Sequence, residues 1–182
     1  MFSPDGRLLA AGSASYDQTI RIWNTATWDL VHAFENYTRS TGEFSPDGRL
    51  IAFVTCDSTT HVRDHTTGAL YRTLTGYDRS PKLVAFSPNG ELLASASVEN
   101  PQEPHPEFHT IRIWNSLTGV LLHICELQGM RRNLKFSPNG SCITFHEGLL
   151  MFKHILKRAL VSGPVIHLGR ISDIMERVKG RH

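Results

Sequence analysis

A five-residue motif occurs four times along the chain, and it constrains the fold more than any other feature of the 182 residues. It reads Phe-Ser-Pro-Asp-Gly or Phe-Ser-Pro-Asn-Gly and begins at Phe2, Phe44, Phe86 and Phe136, at intervals of 42, 42 and 50 residues. Proline sets φ for the first central position of a turn, Asp or Asn bonds nearby backbone, and Gly accepts positive φ. A turn that recurs at this period predicts an array of similar structural units.

Short apolar runs surround each turn at regular distances, as expected for strands joined by hairpins. A run directly after the turn covers residues 8–13, 50–56, 92–97 and 142–146. The next strand reads Thr-Ile-Arg-Ile-Trp-Asn at 19–24 and again at 110–115, with a degenerate copy at 60–64 that has Arg63 in place of Trp. A further strand closes the units at 30–35, 70–75 and 121–127, and residues 148–152 are expected to form a short strand in the fourth unit.

The turn, the Ile-Arg-Ile-Trp-Asn strand and the Thr-Gly-x-Leu links at 67–70 and 118–121 resemble WD40 repeats. The resemblance covers residues 1–152, with units starting near 2, 44, 86 and 136. It implies an all-β fold, a partial WD40-type β-propeller of three to four four-stranded antiparallel blades, which acts as a docking platform for other proteins. The turn motif alone also occurs in TolB-like and prolyl-oligopeptidase-like propellers, so the Ile-Arg-Ile-Trp-Asn strand decides the family.

In this family a His, a Ser or Thr, an Asp and the Trp usually form a hydrogen-bonded tetrad. Asp17 and Trp23 match it in the first unit, Asp57 in the second and Trp114 in the third. The histidine has no match, and Gly76-Tyr77 stands where Gly-His would be expected before the third unit. We therefore expect blade rigidity to come mainly from apolar packing, with Trp23 buried.

The number of units is low, because closed propellers have four to eight blades. We therefore expect a truncated array whose unpaired blade edges favour self-association. The style of the units also resembles the C-terminal arrays of fungal NACHT-type signalling NTPases. That likeness implies a ligand-sensing role.

The last thirty residues differ from the rest in composition. Residues 153–182 carry seven Lys or Arg and two acids, whereas residues 1–152 carry 12 basic and 15 acidic residues. Apolar residues at helical spacing (Ile171, Ile174, Met175 and Val178), with Ser172 as a cap, predict that this basic tail is partly helical. We expect its apolar stripe to pack on the protein body.

The composition limits which partners, cysteine sites and cellular locations are expected. The net charge of +2 gives no reason to expect nucleic-acid or membrane partners. Cys56, Cys125 and Cys142 are too scattered for a disulfide framework or a zinc knuckle, so we interpret them as small buried apolar residues. Without a secretion signal or a membrane-length apolar run, the expected location is cytoplasmic or nuclear.

An insertion at 98–109 adds seven residues to the third unit and carries three prolines, which predicts an extended loop on one rim. Its His105, His109, Glu103 and Glu107 could hold a metal, but surface solvation explains them better, and we predict neither a metal nor a cofactor site. No nucleophile elbow or phosphate-binding loop is present in the sequence, so we predict that the chain is not an enzyme.

The sequence therefore predicts a non-catalytic scaffold that binds other proteins through its loop rims. The expected contacts are the aromatic and arginine side chains that dominate binding hot spots: Tyr37, Arg39, Tyr77, Arg79 and Phe108. Two alternatives stay open. The chain could be the propeller of a hydrolase whose catalytic domain lies elsewhere, or a non-functional fragment.

Overall fold

The computed structural model describes residues 1–12, 18–37, 42–77, 81–97, 108–128, 134–145, 148–151 and 166–168. Every regular element in these ranges is a β-strand. The strands form consecutive sheets that are antiparallel within each repeat, as predicted. We call these sheets blades 1 to 4, in chain order.

The strand bounds follow the repeat. Blade 1 contains β1 (Leu8–Gly12), β2 (Ile20–Asn24) and β3 (Leu30–Phe34), and a bridge between Phe2 and Leu9 marks its innermost position. Blade 2 contains β4 (Glu43–Phe44), β5 (Leu50–Val54), β6 (Thr60–Asp64) and β7 (Leu70–Leu74). Blade 3 contains β8 (Pro81–Phe86), β9 (Leu92–Ser97), β10 (Phe108–Asn115) and β11 (Leu121–Gln128). The described part of blade 4 contains β12 (Lys135–Phe136), β13 (Cys142–Phe145) and β14 (Gly148–Met151).

The repeated motif forms the turn between the first two strands of each blade. In blade 1 the Ser3 hydroxyl donates to the Asp5 carboxylate over 2.6 Å and accepts from the Leu8 amide over 2.9 Å. The Gly6 amide donates to the Ser3 carbonyl, and Gly6 adopts a φ of 71°. Because these hydrogen bonds lie within the motif and the two residues that follow it, the same five residues give the same turn in every blade.

A second turn, between the last two strands of blades 1 to 3, lies at the same rim. An Asn or Asp side chain opens it: the Asn115 amide oxygen accepts from the backbone amides of Leu117 and Thr118 over 3.1 and 2.8 Å. Four residues later the backbone turns left-handed, at Gly68 and Gly119 in blades 2 and 3 but at Trp28 (φ 62°) in blade 1. A bulky side chain is an outlier in this region, so the blade 1 turn is strained.

The core lies between the blades rather than within any one of them. Neighbouring strand residues face opposite sides of a sheet. In β9, Leu92 and Ala94 join a buried cluster with blade 4 while Leu93 joins a cluster with blade 2. A third cluster joins blades 1 and 2. Each blade therefore needs its neighbours in order to bury both of its faces.

The turns also stack from blade to blade. A Cβ placed on Gly48 would lie 3.7 Å from Cδ of Pro4, and one on Gly90 would lie 3.8 Å from Cδ of Pro46. Gly140 meets Pro88 in the same way, at 3.6 Å. The proline of one repeat thus lies beside the glycine of the next, so the turns of neighbouring blades meet along the rim.

The structure bears on the predictions for the cysteines and for the C-terminal tail. Cys125 and Cys142 are buried as predicted, but Cys56 is exposed, because it lies in the turn after β5 rather than in the sheet, with its thiol 3.1 Å from the Gln18 amide oxygen. The helix predicted in the tail, from Ser172 to Val178, lies outside the described residues. The described part of the tail is a strand, β15 (Ile166–Leu168), which pairs in parallel with β11.

The strained turn of blade 1 gives a first prediction. Replacing Trp28, which is 66% exposed, by Gly should raise the free energy of unfolding by about 0.5–1 kcal/mol, because Gly adopts positive φ without a Cβ clash. Trp28→Ala is the matched control, since it also removes the indole but keeps the Cβ. Urea denaturation measures both. A Gly variant no more stable than the Ala variant would show that the turn is not strained.

Candidate protein-interaction site

The junction between blades 2 and 3 is a hydrogen-bonded aromatic pair. The indole nitrogen of Trp114 and the hydroxyl of Tyr77 each donate to Oγ of Ser95 over 2.8 Å. The Tyr77 hydroxyl also lies 3.1 Å from Oγ1 of Thr60 in blade 2. The two rings are tilted, with centroids 5.5 Å apart. A hydrogen-bonded network therefore links the blades here, in addition to the apolar packing between their faces.

Tyr77 takes the position at which the resemblance to WD40 repeats predicts a histidine. It lies in the link before blade 3, and its phenol reaches the serine that also binds the tryptophan. Burial raises the pKa of Tyr77, against the lowering effect of its hydrogen bonds and of the Arg112 guanidinium, which lies 5.0 Å from the ring centroid. A phenol stays protonated at physiological pH, so this junction does not titrate there, as an imidazole would.

A different set of side chains fills the same junction between blades 1 and 2. Leu50 pairs with Asp64, and Leu92 with Asn115, so Arg63 stands in the register of Trp114. Its Nε donates to the Tyr37 hydroxyl over 2.8 Å. Nη1 donates to the carbonyl of Gly68, also over 2.8 Å, and the guanidinium lies 4.5 Å from the centroid of the Phe34 ring. Arginine replaces tryptophan here as a planar group that stacks and donates.

Tyr37 lies at the centre of this second junction. It is 2% exposed and packs edge-on against Phe53, with ring centroids 5.6 Å apart. Its hydroxyl also lies 3.0 Å from Nδ1 of His61. Burial raises the pKa of Tyr37, and Arg63 opposes this shift. Tyr37 therefore holds two blades together, which corrects its prediction as a partner contact.

The other predicted site residues are placed as follows. Trp114 is 3% exposed, but Trp23 is only half-buried, so its expected burial is wrong. Asp57 is exposed and accepts from the hydroxyls of Thr55 and Thr59, and the Thr55 bond is the main reason that the pKa of Asp57 is lowered. Tyr77 is half-buried in the junction described above. Asp17, Arg39 and Arg79 lie outside the described residues, as does the side chain of Phe108.

The blades have two rims with different contents. The two turns of each repeat share one rim, where the Ser116 hydroxyl donates to the Gly90 carbonyl over 2.5 Å. The links between blades and the insertion after β9 leave from the opposite ends of the strands. The interblade loops predicted as contacts, and most of the insertion, lie largely outside the described residues.

The rim with the turns carries a cleft between blades 3 and 4. Its volume is about 560 Å³, and it is lined by the motif turns of both blades and by the second turn of blade 3. The apolar walls include Leu117 and Leu122, and Glu91 lies at its edge. Sequence reasoning did not find this cleft, because its lining residues come from turns that were interpreted only as structural.

The described residues carry neither a cluster of metal ligands nor a long apolar helix. They hold no group of three or more His, Cys, Asp or Glu side chains placed to bind a metal ion. The four candidate ligands of the insertion lie outside those residues, apart from the backbone of His109. In the same part of the chain there is no helix of the length and apolarity that a membrane crossing requires.

The two tryptophans of the repeated strand give a second prediction. Trp114→Ala should lower the free energy of unfolding by about 3–5 kcal/mol, because it removes a buried ring and leaves Ser95 with one donor fewer. Trp23→Ala, at the same register in blade 1, should have a much smaller effect, since that ring is half-buried. Urea denaturation of the pair measures the difference. Equal losses would contradict the assigned junction.

His61 gives a pH-dependent prediction. Burial is the main cause of its lowered pKa, and the nearby Arg63 adds to it. The unfolded chain therefore takes up this proton first, and stability present above about pH 6.5 is lost as the pH falls through that value toward the folded pKa. His61→Asn keeps a polar group near Tyr37 without the titration. Its unfolding free energy, measured from pH 8 to 5.5, should fall less than that of the wild type, and parallel curves would contradict the prediction.

Comparison with known proteins agrees with this architecture. Residues 1–24 match the family model described as WD domain, G-beta repeat. The chain is 30% identical over 141 residues, 76% of its length, to an uncharacterized WD repeat-containing protein of Synechocystis, of which it covers 38%. It is 25% identical over 90% of its length to the U3 small nucleolar RNA-associated protein 21 homolog of Schizosaccharomyces pombe, of which it covers 17%.

A third relative is the nuclear distribution protein PAC1 of Arthroderma benhamiae, 30% identical over 72% of the chain, which covers 30% of that protein. The chain thus spans less than two fifths of the length of each of these relatives. The repeated motif, the antiparallel blades packed face to face and these matches together show that the chain is built from WD40 repeats.

Proposed function

We propose that this chain is a non-catalytic scaffold whose main partner-binding surface is the open face of blade 1. WD40 repeats serve in general as platforms for protein binding, and the proposal assigns that role to a particular surface. The observation that supports it is a set of apolar residues that are exposed in blade 1 although their counterparts in blades 2 and 3 are buried.

Phe2 is the clearest member of the set. It opens the motif of blade 1 and is 64% exposed, whereas Phe44 and Phe86, at the same place in blades 2 and 3, are 6% and 5% exposed. The counterparts are buried because each packs against the preceding blade. The same contrast holds for Leu9, which is half-buried where Ile51 and Leu93 are fully buried.

The rim next to this face shows the same pattern. Nothing lies within 4 Å of a Cβ placed on Gly6, whereas the corresponding glycines of blades 2 to 4 each meet a proline of the preceding blade. Glycines at the position of Trp28 also face the preceding blade: a Cβ on Gly68 would lie 3.0 Å from the His32 ring. Trp28 is therefore directed to the open side of blade 1, where it adds an exposed indole.

An open apolar face of this kind marks an interaction surface in a soluble protein. Its shape follows from the repeat: blades 2 and 3 show that the same side of a blade accepts the sheet face of another blade. We therefore propose that the partner offers a β-sheet face, in the simplest case a second copy of this chain. Self-association through blade 1 is the form of the interaction that can be tested without knowing a partner.

Four aspartates of the described residues support the non-catalytic part of the proposal. Asp5, Asp47, Asp57 and Asp64 each accept hydrogen bonds within a turn, and these bonds are the main cause of their lowered pKa values. A carboxylate held ionised by its own turn is a structural cap rather than a poised general acid.

Secondary parts of the proposal concern the second rim and the location. Arg39, Arg79 and Phe108 stay as proposed contacts on the rim that carries the links. The three free thiols fit the reducing environment of the cytosol or nucleus, which is the proposed location. A ligand-sensing role like that of NACHT-type arrays is also a proposal, drawn from the likeness of the repeats.

The open face is tested by Phe2→Asp in the full chain, followed by sedimentation velocity between about 1 and 100 µM. A carboxylate in an apolar interface is poorly solvated, so the dissociation constant for self-association should rise at least about tenfold. Val120→Asp is the matched control, because Val120 is 56% exposed on another blade. A wild type that stays monomeric throughout, or equal effects of the two variants, would show that blade 1 is not the binding face.

A further inference from the structure

We propose that the cleft between blades 3 and 4 is a second binding site, which takes a peptide segment of a partner protein with an apolar side chain next to a Lys or Arg. It lies on the rim with the turns and uses no residue of the open face of blade 1. The inference adds a ligand class to the proposed scaffold function, and failure of either surface leaves the other intact.

The cleft has the form of a side-chain pocket. Pro88 and Asn89 of the blade 3 motif lie on one side, Pro138 and Asn139 of the blade 4 motif on the other, and Leu122 of β11 contributes a further wall. A volume of about 560 Å³ lies within the range of ligand pockets and exceeds that of one side chain. The prolines and leucines make the walls largely apolar, so an apolar side chain gains from entering.

The leucines of this cleft are particular to blade 3. Leu117, at the second position after Asn115, corresponds to Thr66 in blade 2 and is 52% exposed. Leu122 corresponds to Tyr71, whose ring is covered by the Arg72 guanidinium at 4.4 Å from its centroid. Blade 2 thus carries polar or covered groups where blade 3 has the exposed Leu117 and the half-buried Leu122.

The charge is also reversed in blade 3. The residue after the motif glycine is Arg7 in blade 1 and Arg49 in blade 2 but Glu91 in blade 3. Arg49 forms an ion pair with Asp64 over 3.5 Å, whereas the Glu91 carboxylate accepts from the Asn89 amide over 2.8 Å and stays exposed. Glu91 is the single charged residue among the described residues that line the cleft.

The apolar walls and the Glu91 carboxylate together define the ligand. An exposed carboxylate beside apolar walls complements a Lys or Arg that follows or precedes an apolar residue. Asn115 and Asn139 add side-chain amides, which carry donors suited to the main-chain carbonyls of an extended peptide. The negative charge disfavours a nucleic-acid backbone, so a peptide is the better match.

The test uses the full chain and three fluorescein-labelled peptides, read by fluorescence anisotropy. The probe Gly-Ser-Leu-Arg-Leu-Arg-Ser-Gly should bind saturably with a dissociation constant on the order of 10–500 µM, as one small pocket allows. The same peptide with Glu for Arg, and the same peptide with Ser for Leu, should each bind at least about fivefold more weakly.

Variants locate the binding. Glu91→Arg installs in blade 3 the residue that blades 1 and 2 already have at this place, so it should fold normally. It should weaken the basic probe about fivefold and improve the acidic one. Leu117→Ser, which removes an apolar wall without adding charge, should weaken the basic probe about tenfold. Arg49→Gln, at the matching position of blade 2, should leave the binding of all three peptides unchanged.

Three results would overturn the proposal: no saturable binding of the basic probe up to 1 mM, equal binding of the basic and acidic probes, or an Arg49→Gln effect as large as that of Glu91→Arg. A probe with a photoreactive group at its first leucine should cross-link to the turns of blades 3 and 4. Cross-links confined to residues 153–182 or to blade 1 would also overturn it. Thermal melts of each variant separate a loss of binding from a loss of the fold.

Discussion

Face-to-face packing of successive blades is the interaction on which the rest of the structure depends. A single antiparallel sheet of short strands cannot bury both of its faces, and in this chain each cluster of buried residues draws on two neighbouring blades. The alternation of side chains along β9 shows the arrangement most simply, since Leu92 and Leu93 serve different interfaces. The same dependence explains why Phe2 is exposed on blade 1, whereas Phe44 and Phe86 are buried against the preceding blade.

The turns make this packing repeatable. Each motif forms hydrogen bonds within its own hairpin, as Ser45 does when its hydroxyl accepts from the Leu50 amide, so the turn has the same form in each blade. The proline of each of the first three motifs lies beside the glycine of the next, and the glycine of all four motifs has a positive φ, which Gly adopts most readily. Burial of apolar strand faces supplies most of the free energy, and the turns determine the geometry in which it is gained.

The repeat, the strands and their order could be predicted from the sequence because they depend on local patterns: turn residues at a fixed period and alternating apolar runs. The contacts at the junctions between blades could not be predicted from such patterns. That Tyr77 replaces an imidazole, or that Arg63 replaces an indole against Tyr37, depends on contacts between residues many positions apart. The sequence around a Tyr in a loop between two blades gives no local sign that this Tyr is buried. The cleft was missed for a related reason, since it arises where two turns from different repeats meet.

A repeat protein can separate stability from recognition by position within the repeat. Residues that two blades share in an interface are constrained by their partners, so Phe44 and Phe86 remain alike. Residues at the exposed rim are less constrained, so the place after the motif glycine changes from Arg49, which pairs with Asp64, to Glu91. The turn is not disturbed, since its backbone hydrogen bonds are the same in both blades. Equivalent positions that stay alike in successive blades are therefore those that the fold requires. Exposed positions that differ between blades determine what each blade can bind.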